Sequence, residues 1–355
     1  MKIGILTFHY AYNYGAILQC YALQTYLESH GFIVNVIDHR NKQILKDYYV
    51  FDIRRFIMRN PVSFIKRIIH ELRYFNIRRK RAEAFETFIS THLHLCDSSE
   101  IIASPFDLII VGSDQVWNYN LTGGFDSFYW GDFEKPKKTK IASYAASMQD
   151  SWASCYDKKM SGLLENFDYL SVRENKLAKS LQSLLPSKVI HTVVDPTLLL
   201  SKEEWDKIAH KPNISFPYLL LYQVDTNQTA ELLANKVAEE RNLKVIKLYA
   251  QMDKPHTSDV ACSSPADFVG LFKHASFIVC SSFHGTVFSI IYGKSFYSIK
   301  IEGKSSRVEN LLSAYDLEDR LIKVELPVIT DIDYSRKPHT ISKVSIDYLH
   351  NIIEE

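Results

Sequence analysis

At 355 residues, 46% hydrophobic and 23% charged, with a formal net charge of +1, the chain has the balance of an ordinary soluble globular protein. That length suits two domains of about 150 residues each, and the near-zero charge gives no general case for nucleic acid or a strongly acidic partner. The five cysteines, Cys20, Cys96, Cys155, Cys262 and Cys280, stand far apart without a Cys-x-x-Cys pair, which argues against a disulfide framework and against a zinc site.

The N-terminus runs into strand-like residues without the shape of a signal peptide, so the expected setting is a reducing cytoplasm. Lys2 to Thr7 reads as a buried strand and His9 to Gly15 as a polar turn. A helix follows, its face marked by Ile17, Leu18, Tyr21, Ala22, Tyr26 and Leu27 and its end by Gly31. Phe32 to Ile37 is a second strand, closed by Asp38, so the fold opens as a βαβ unit with a parallel sheet. Asp38 stands where a nucleotide-binding unit holds a ribose. The turn has a single glycine at position 15, however, and no Gly-x-Gly-x-x-Gly, so no dinucleotide site is assigned. Asn13 and Gly15 either offer an amide and a close backbone approach to a polar ligand or simply build a tight turn.

Residues 52–81 change character, with ten basic residues against two acids, Asp52 and Glu71. Apolar side chains from Phe56 to Phe75 interleave with them, which predicts a basic amphipathic pair of helices split at Pro61. Such a segment suits an anionic membrane surface or a phosphate-bearing lipid-linked substrate, and equally a solvated basic face over the core.

Phe106 to Val111 is a continuous apolar run ending in Gly112-Ser113-Asp114. Ser113 can hydrogen-bond a substrate hydroxyl or phosphate, and Asp114 can accept a proton or cap the next turn. Lys140 to Ser147 is a small-residue strand, and Tyr169 to Arg173 a short strand ending in an arginine. Arg173 either clamps a planar anion with its donor fork or pairs with Glu174. The second half restarts with strands at Val189–Val194, Tyr218–Gln223, Lys244–Leu248, Phe277–Val279 and Ser295–Ile299. A helix runs from Thr229 to Arg241, and another is capped by Ser264 with Pro265 at its first position. Arg307 opens a further helix after Lys300 and Lys304, a locally basic loop suited to an anion. A last helix runs from Ile341 to Ile353.

The stretch 275–293 carries the sharpest signal. An apolar strand breaks at Ser281-Ser282-Phe283-His284-Gly285 and passes into a helix closed by Gly293. Ligands in open α/β sheets bind at the carboxyl ends of strands, where helix N-termini favour anions. A histidine in that turn can exchange a proton with a bound anion, or it can be a core residue capping its own helix.

Several motifs, taken in order, resemble the polysaccharide pyruvyl transferase family: Tyr12-Asn13-Tyr14-Gly15-Ala16, Asp107 to Asn118, Tyr144-Ala-Ala-Ser147, Ser171-Val-Arg173-Glu174, Val194-Asp195-Pro196 and Ser282-Phe-His284-Gly285. The resemblance spans about residues 3–320. It implies an α/β fold of two Rossmann-like domains facing a cleft, similar to GT-B glycosyltransferases. The division expected is 1–175, with a basic helical insertion near 52–95, then 176–335, with 336–355 as a helix able to return to the first domain.

The resemblance also implies transfer of a pyruvyl group from phosphoenolpyruvate to a sugar, forming a ketal. His284 matches the motif histidine and takes the role of general acid at the donor methylene. Arg173 and Arg307 hold the donor's anionic ends, with Ser282, Gly285 and Lys300 beside them, and Asn13, Gly15, Ser113 and Asp114 line the acceptor side. One departure stands out. Family members often carry Arg-x-His where this chain has Ser282-Phe283-His284, so one donor clamp is missing. Either Arg307 or Lys300 replaces it, or this branch uses another donor or acceptor.

The leading expectation is therefore a phosphoenolpyruvate-dependent enzyme of bacterial surface polysaccharide (exopolysaccharide) assembly. It would be cytoplasmic or peripheral at the inner membrane face, with a sugar acceptor that can be polyprenyl-diphosphate-linked. It would need no cofactor, no metal and no nucleic acid. Two alternatives stand beside it: a GT-B glycosyltransferase using a nucleotide sugar, and a non-catalytic sugar-binding protein of an assembly complex.

Overall fold

The computed structural model describes residues 1–50, 61–148, 152–254, 256–301, 306–337 and 343–354. The first half contains β1 (Lys2–Leu6), α1 (Tyr14–Ser29), β2 (Ile33–Asp38), α2 (Lys42–Tyr48), α3 (Pro61–His92), β3 (Leu95–Asp97), α4 (Glu100–Ala103), β4 (Leu108–Val111), α5 (Tyr119–Thr122) and β5 (Lys140–Ser143). Its five strands form a parallel sheet in the order β3-β2-β1-β4-β5. Next come α6 (Asp157–Leu164), β6 (Leu170–Val172), α7 (Asn175–Leu184), β7 (Ile190–Thr192) and α8 (Lys202–Asp206).

The second half contains β8 (Tyr218–Gln223), α9 (Gln228–Arg241), β9 (Lys244–Tyr249), α10 (Pro265–His274), β10 (Phe277–Cys280), α11 (Phe283–Ile291), β11 (Phe296–Ile299), α12 (Ser306–Ala314) and β12 (Leu321–Ile322), followed by α13 (Lys343–Glu354). Its parallel sheet runs β12-β11-β10-β8-β9. Two parallel sheets with helical crossovers are the Rossmann-like, GT-B-like arrangement expected from the sequence. Their central strands, β1, β4, β8 and β10, are buried runs of Ile, Leu and Val because both faces are covered.

Local chemistry starts the helices that matter. Asn13 Oδ1 accepts from Gly15 and Ala16 N–H and so caps α1. Ser264 and Asp267 form a reciprocal capping box at α10, with Pro265 in the first turn. Ser282 caps α11. The two halves share one core in which Tyr14 of α1 stacks on Phe268 of α10, ring centroids 4.5 Å apart. The Tyr14 hydroxyl donates to Ser263 O at 2.9 Å.

Pro61 opens the 32-residue helix α3, as expected of the second helix of the pair; the part of the pair before it lies outside the described residues. Proline is at home in a first turn, where its missing N–H has no partner to lose. The strand near 189–194, read as restarting the second series, pairs instead as β7 with β6. Isolated bridges join the β6 region to the chain at and just beyond β5. Strands of three residues carry too little pattern to announce their partner. Asp38, finally, binds His9 Nε2 at 3.0 Å and Arg40 Nε at 2.7 Å, so it is a local ion-pair hub.

Candidate functional site

The carboxyl ends of the two sheets meet at His284, at the start of α11. Position 15 must be glycine here: a Cβ on it would lie 1.9 Å from His284 Nδ1. The imidazole of one half is thus pressed on the first turn of α1 in the other. His284 is 9% exposed, and its Nε2 lies 3.6 Å from Asp195 Oδ2 without a hydrogen-bond partner.

Asp195, fully buried, organises this centre. Its Oδ2 accepts from Arg173 Nη1 at 2.5 Å, and its Oδ1 accepts from Thr197 N at 3.0 Å and Thr197 Oγ1 at 2.6 Å. Burial opposes its charge, but His284, Arg173 and the Thr197 hydrogen bonds outweigh burial and hold the carboxyl well below the usual range. Asp195 can therefore stabilise positive charge on His284 while anchoring Arg173.

Arg173 ends β6 almost fully buried, its Nε 3.5 Å from Glu174 Oε1 and its Nη2 4.0 Å from Asp114 Oδ1. Nη2 has no hydrogen-bond partner, and neither has Glu174 Oε2. Burial pushes the Glu174 carboxyl up, against the pull of Arg173, the Ser147 hydrogen bond and Arg307. Arg173 and Arg307 both approach one aromatic ring, their guanidinium carbons 5.0 and 5.8 Å from the Phe283 ring centroid. Burial, then the neighbouring Arg173 charge, lowers the Arg307 pKa, against the pull of Glu174, Asp114 and Asp195. A buried Arg173, a half-buried Arg307 and an imidazole nitrogen without a hydrogen-bond partner gather at the start of α11, and that arrangement suits an anion needing a proton donor.

The sequence-selected residues distribute as follows. Gly15, Asp114, Arg173, His284 and Arg307 meet through Asp195 and Phe283. Ser113 is fully buried and its hydroxyl donates to Ala145 O at 3.0 Å, with Asp195 Oδ2 at 3.5 Å. Asp114 adopts the left-handed region at φ 68, as does Ala145 at φ 50, so strained backbone gathers beside the site. Asn13 spends its oxygen on the α1 cap, and its amide nitrogen has no hydrogen-bond partner among the described residues. Ser282 accepts from Gly285 N at 3.4 Å, and Gly285 packs where a Cβ would be 2.9 Å from the Tyr222 ring. Lys300 pairs with Glu309 at 2.7 Å on α12, which occupies its ammonium.

Asp195, Glu174 and Phe283 escaped selection as site residues. Asp195 and Glu174 stood in quoted motifs, but as a turn and as a salt-bridge partner; only the fold turns them towards His284 and Arg173.

The fold is of the α/β class, with two parallel sheets whose carboxyl ends face the cluster of Arg173, Arg307 and His284. The chain belongs to the polysaccharide pyruvyl transferase family, whose model matches residues 13–302. No curated protein matches the sequence. Among solved structures it is similar to UDP-GlcNAc 2-epimerase from Methanocaldococcus jannaschii, with 11% identity, full coverage of both chains and a TM-score of 0.48. It is also similar to S. aureus MnaA bound to UDP, with 13% identity over 100% of this chain and 88% of that one, TM-score 0.45. E. coli heptosyltransferase WaaC with ADP gives 8% identity over 100% and 99%, TM-score 0.40.

Proposed function

We infer that the enzyme moves a pyruvyl group from phosphoenolpyruvate to two hydroxyls of a polysaccharide sugar or its lipid-linked precursor. The observation carrying this reading is the convergence of Arg173 and Arg307 on Phe283 beside the unpartnered His284 Nε2. Phosphoenolpyruvate has a carboxylate and a phosphate for the two guanidinium groups and a methylene that must gain a proton.

On this reading His284, held by Asp195, protonates the methylene, and cationic character develops at the adjacent carbon. A sugar hydroxyl adds there, phosphate leaves with the C–O bond's electron pair and takes that hydroxyl's proton, and a second hydroxyl closes the ketal and returns its proton to His284. Arg173 and Arg307 neutralise the anionic ends throughout. The acceptor lies against the first half, where Asn13 Nδ2 and the Asp114 carboxylate offer a donor and an acceptor for sugar hydroxyls. The first 175 residues then serve the acceptor and residues 176–335 the donor, although Arg173 crosses that division. Ser282 leaves one family clamp position uncharged, and Arg307, beside the Phe283 ring, takes its place.

The test is a thermal-shift titration with phosphoenolpyruvate and a panel of nucleotide sugars on wild type and His284→Ala. A ligand that binds the native state raises the melting temperature with concentration. A shift with phosphoenolpyruvate that survives His284→Ala, together with loss of phosphate release in that variant, supports the reading. A shift with a nucleotide sugar and none with phosphoenolpyruvate refutes it.

A further inference from the structure

Helix α3 has two faces of opposite character. Its inner face buries Arg81, whose Nη2 donates to Tyr249 O at 2.9 Å and Ala250 O at 3.2 Å. Glu71, the sole acid between residues 62 and 80, is turned inward as well and binds Arg67 at 2.9 Å and Arg78. The outer face presents Ile65, Ile69 and Leu72, which are 59%, 61% and 71% exposed. Their spacing of i, i+4 and i+7 puts them in one stripe. Lys66 and Arg73 follow Ile65 and Leu72 by one residue and are exposed along the same side; further on Lys80 is exposed as well, while Arg79 lies 3.6 Å from the exposed Glu83. No helix among the described residues is long and apolar enough to cross a membrane.

We propose that this outer face of α3 docks the enzyme on an anionic lipid bilayer, with Ile65, Ile69 and Leu72 entering the interface and Lys66 and Arg73 meeting the headgroups. Three large apolar side chains so exposed on successive turns are costly in water, and removing them from it is favourable. Turning Glu71 inward while Lys66 and Arg73 are displayed makes the stretch of the face from Ile65 to Arg73 cationic, so its complement is an anionic surface. That sign selects the occupant. A second copy seated symmetrically would bring Lys66 and Arg73 against their own equivalents, like charge on like charge. The inference is independent of which donor the site uses.

The test uses the full chain with sedimented vesicles of phosphatidylcholine alone and of phosphatidylcholine with phosphatidylglycerol in equal parts. One variant combines Ile65→Ser, Ile69→Ser and Leu72→Ser; a second combines Lys66→Glu and Arg73→Glu. All five positions are exposed, and melting temperature and circular dichroism confirm that each variant folds. Wild type should bind the anionic vesicles at least about tenfold more tightly than the neutral ones, and each variant should lose about tenfold or more. Equal binding by wild type and both variants overturns the proposal, as does no wild-type binding to anionic vesicles. A dimer in sedimentation velocity that the serine variant abolishes, without vesicle binding, assigns the face to a second copy and likewise overturns it. Activity on a soluble acceptor, measured in parallel, should be the same in wild type and both variants, which separates this outcome from any failure at the active centre.

Discussion

The Cα of Gly15 carries the His284 imidazole: a methyl there would lie 1.9 Å from Nδ1. Two residues 269 positions apart (284 minus 15) thus define where the His284 imidazole stands. Gly15→Ala should keep the fold, because alanine favours the helix that begins at Tyr14. It should still lower kcat by about a hundredfold or more, the cost of displacing a reacting group by roughly 1 Å. Unchanged circular dichroism with unchanged turnover would contradict this.

Asp195 links the imidazole to Arg173, and its replacement separates charge from shape. Asp195→Asn retains the Thr197 contacts but removes the negative charge facing His284. Turnover should drop by about a thousandfold, by analogy with other carboxylate-oriented histidines. Because the Asp195 carboxyl is held below its unfolded value, the stability it contributes is complete above about pH 4 and lost as pH falls further. Acid unfolding of the asparagine variant should be correspondingly shallower below that pH.

Two guanidinium groups, those of Arg173 and Arg307, approach the Phe283 ring. Phe283→Leu keeps the apolar bulk and removes the ring, so its effect should fall on donor binding. The KM for phosphoenolpyruvate should rise about tenfold with a smaller change in kcat, given ~0.5–2 kcal/mol for each cation–π contact.

The buried Glu174 carboxyl predicts a pH dependence of its own. Burial raises its pKa, so the native fold favours the protonated form; that contribution is complete below the ordinary carboxylate range and fades as pH rises through the raised value. An anionic donor beside Arg173 should follow the same sign, binding best with Glu174 neutral and less well once it ionises. Isothermal titration across pH should show affinity declining as pH rises, and Glu174→Gln should flatten that slope. A slope identical in the two proteins would assign it to another group.

Arg81 ties the first half to the second through two backbone carbonyls and lies over the Tyr14 ring at 4.7 Å. Arg81→Met should cost about 2–4 kcal/mol, because Tyr249 O and Ala250 O lose a charged donor in a dry interface. Urea denaturation measures it directly.

Much of this site was legible as pattern. An apolar run that breaks into small polar residues and then a helix marks a strand's carboxyl end, and that rule located His284, Arg173, Asp114 and Gly15 separately. Lys300 shows what the rule leaves out: its position after β11 suits an anion, and only the fold sets Glu309, nine residues on, 2.7 Å from its ammonium. Phe283 stood in the break before α11, and nothing local indicates that two arginines will approach its ring.

Periodicity and breaks in the sequence determined the α/β class, the two parallel series and the strand ends at which ligands sit, because those signals come from neighbours a few residues apart. Tertiary structure alone decided that β7 joins β6, that Glu71 of α3 is turned inward, and that Asp195 stands between His284 and Arg173. Each of these depends on contacts between distant segments, whose pairing is set by packing and by the burial of charge rather than by any local pattern.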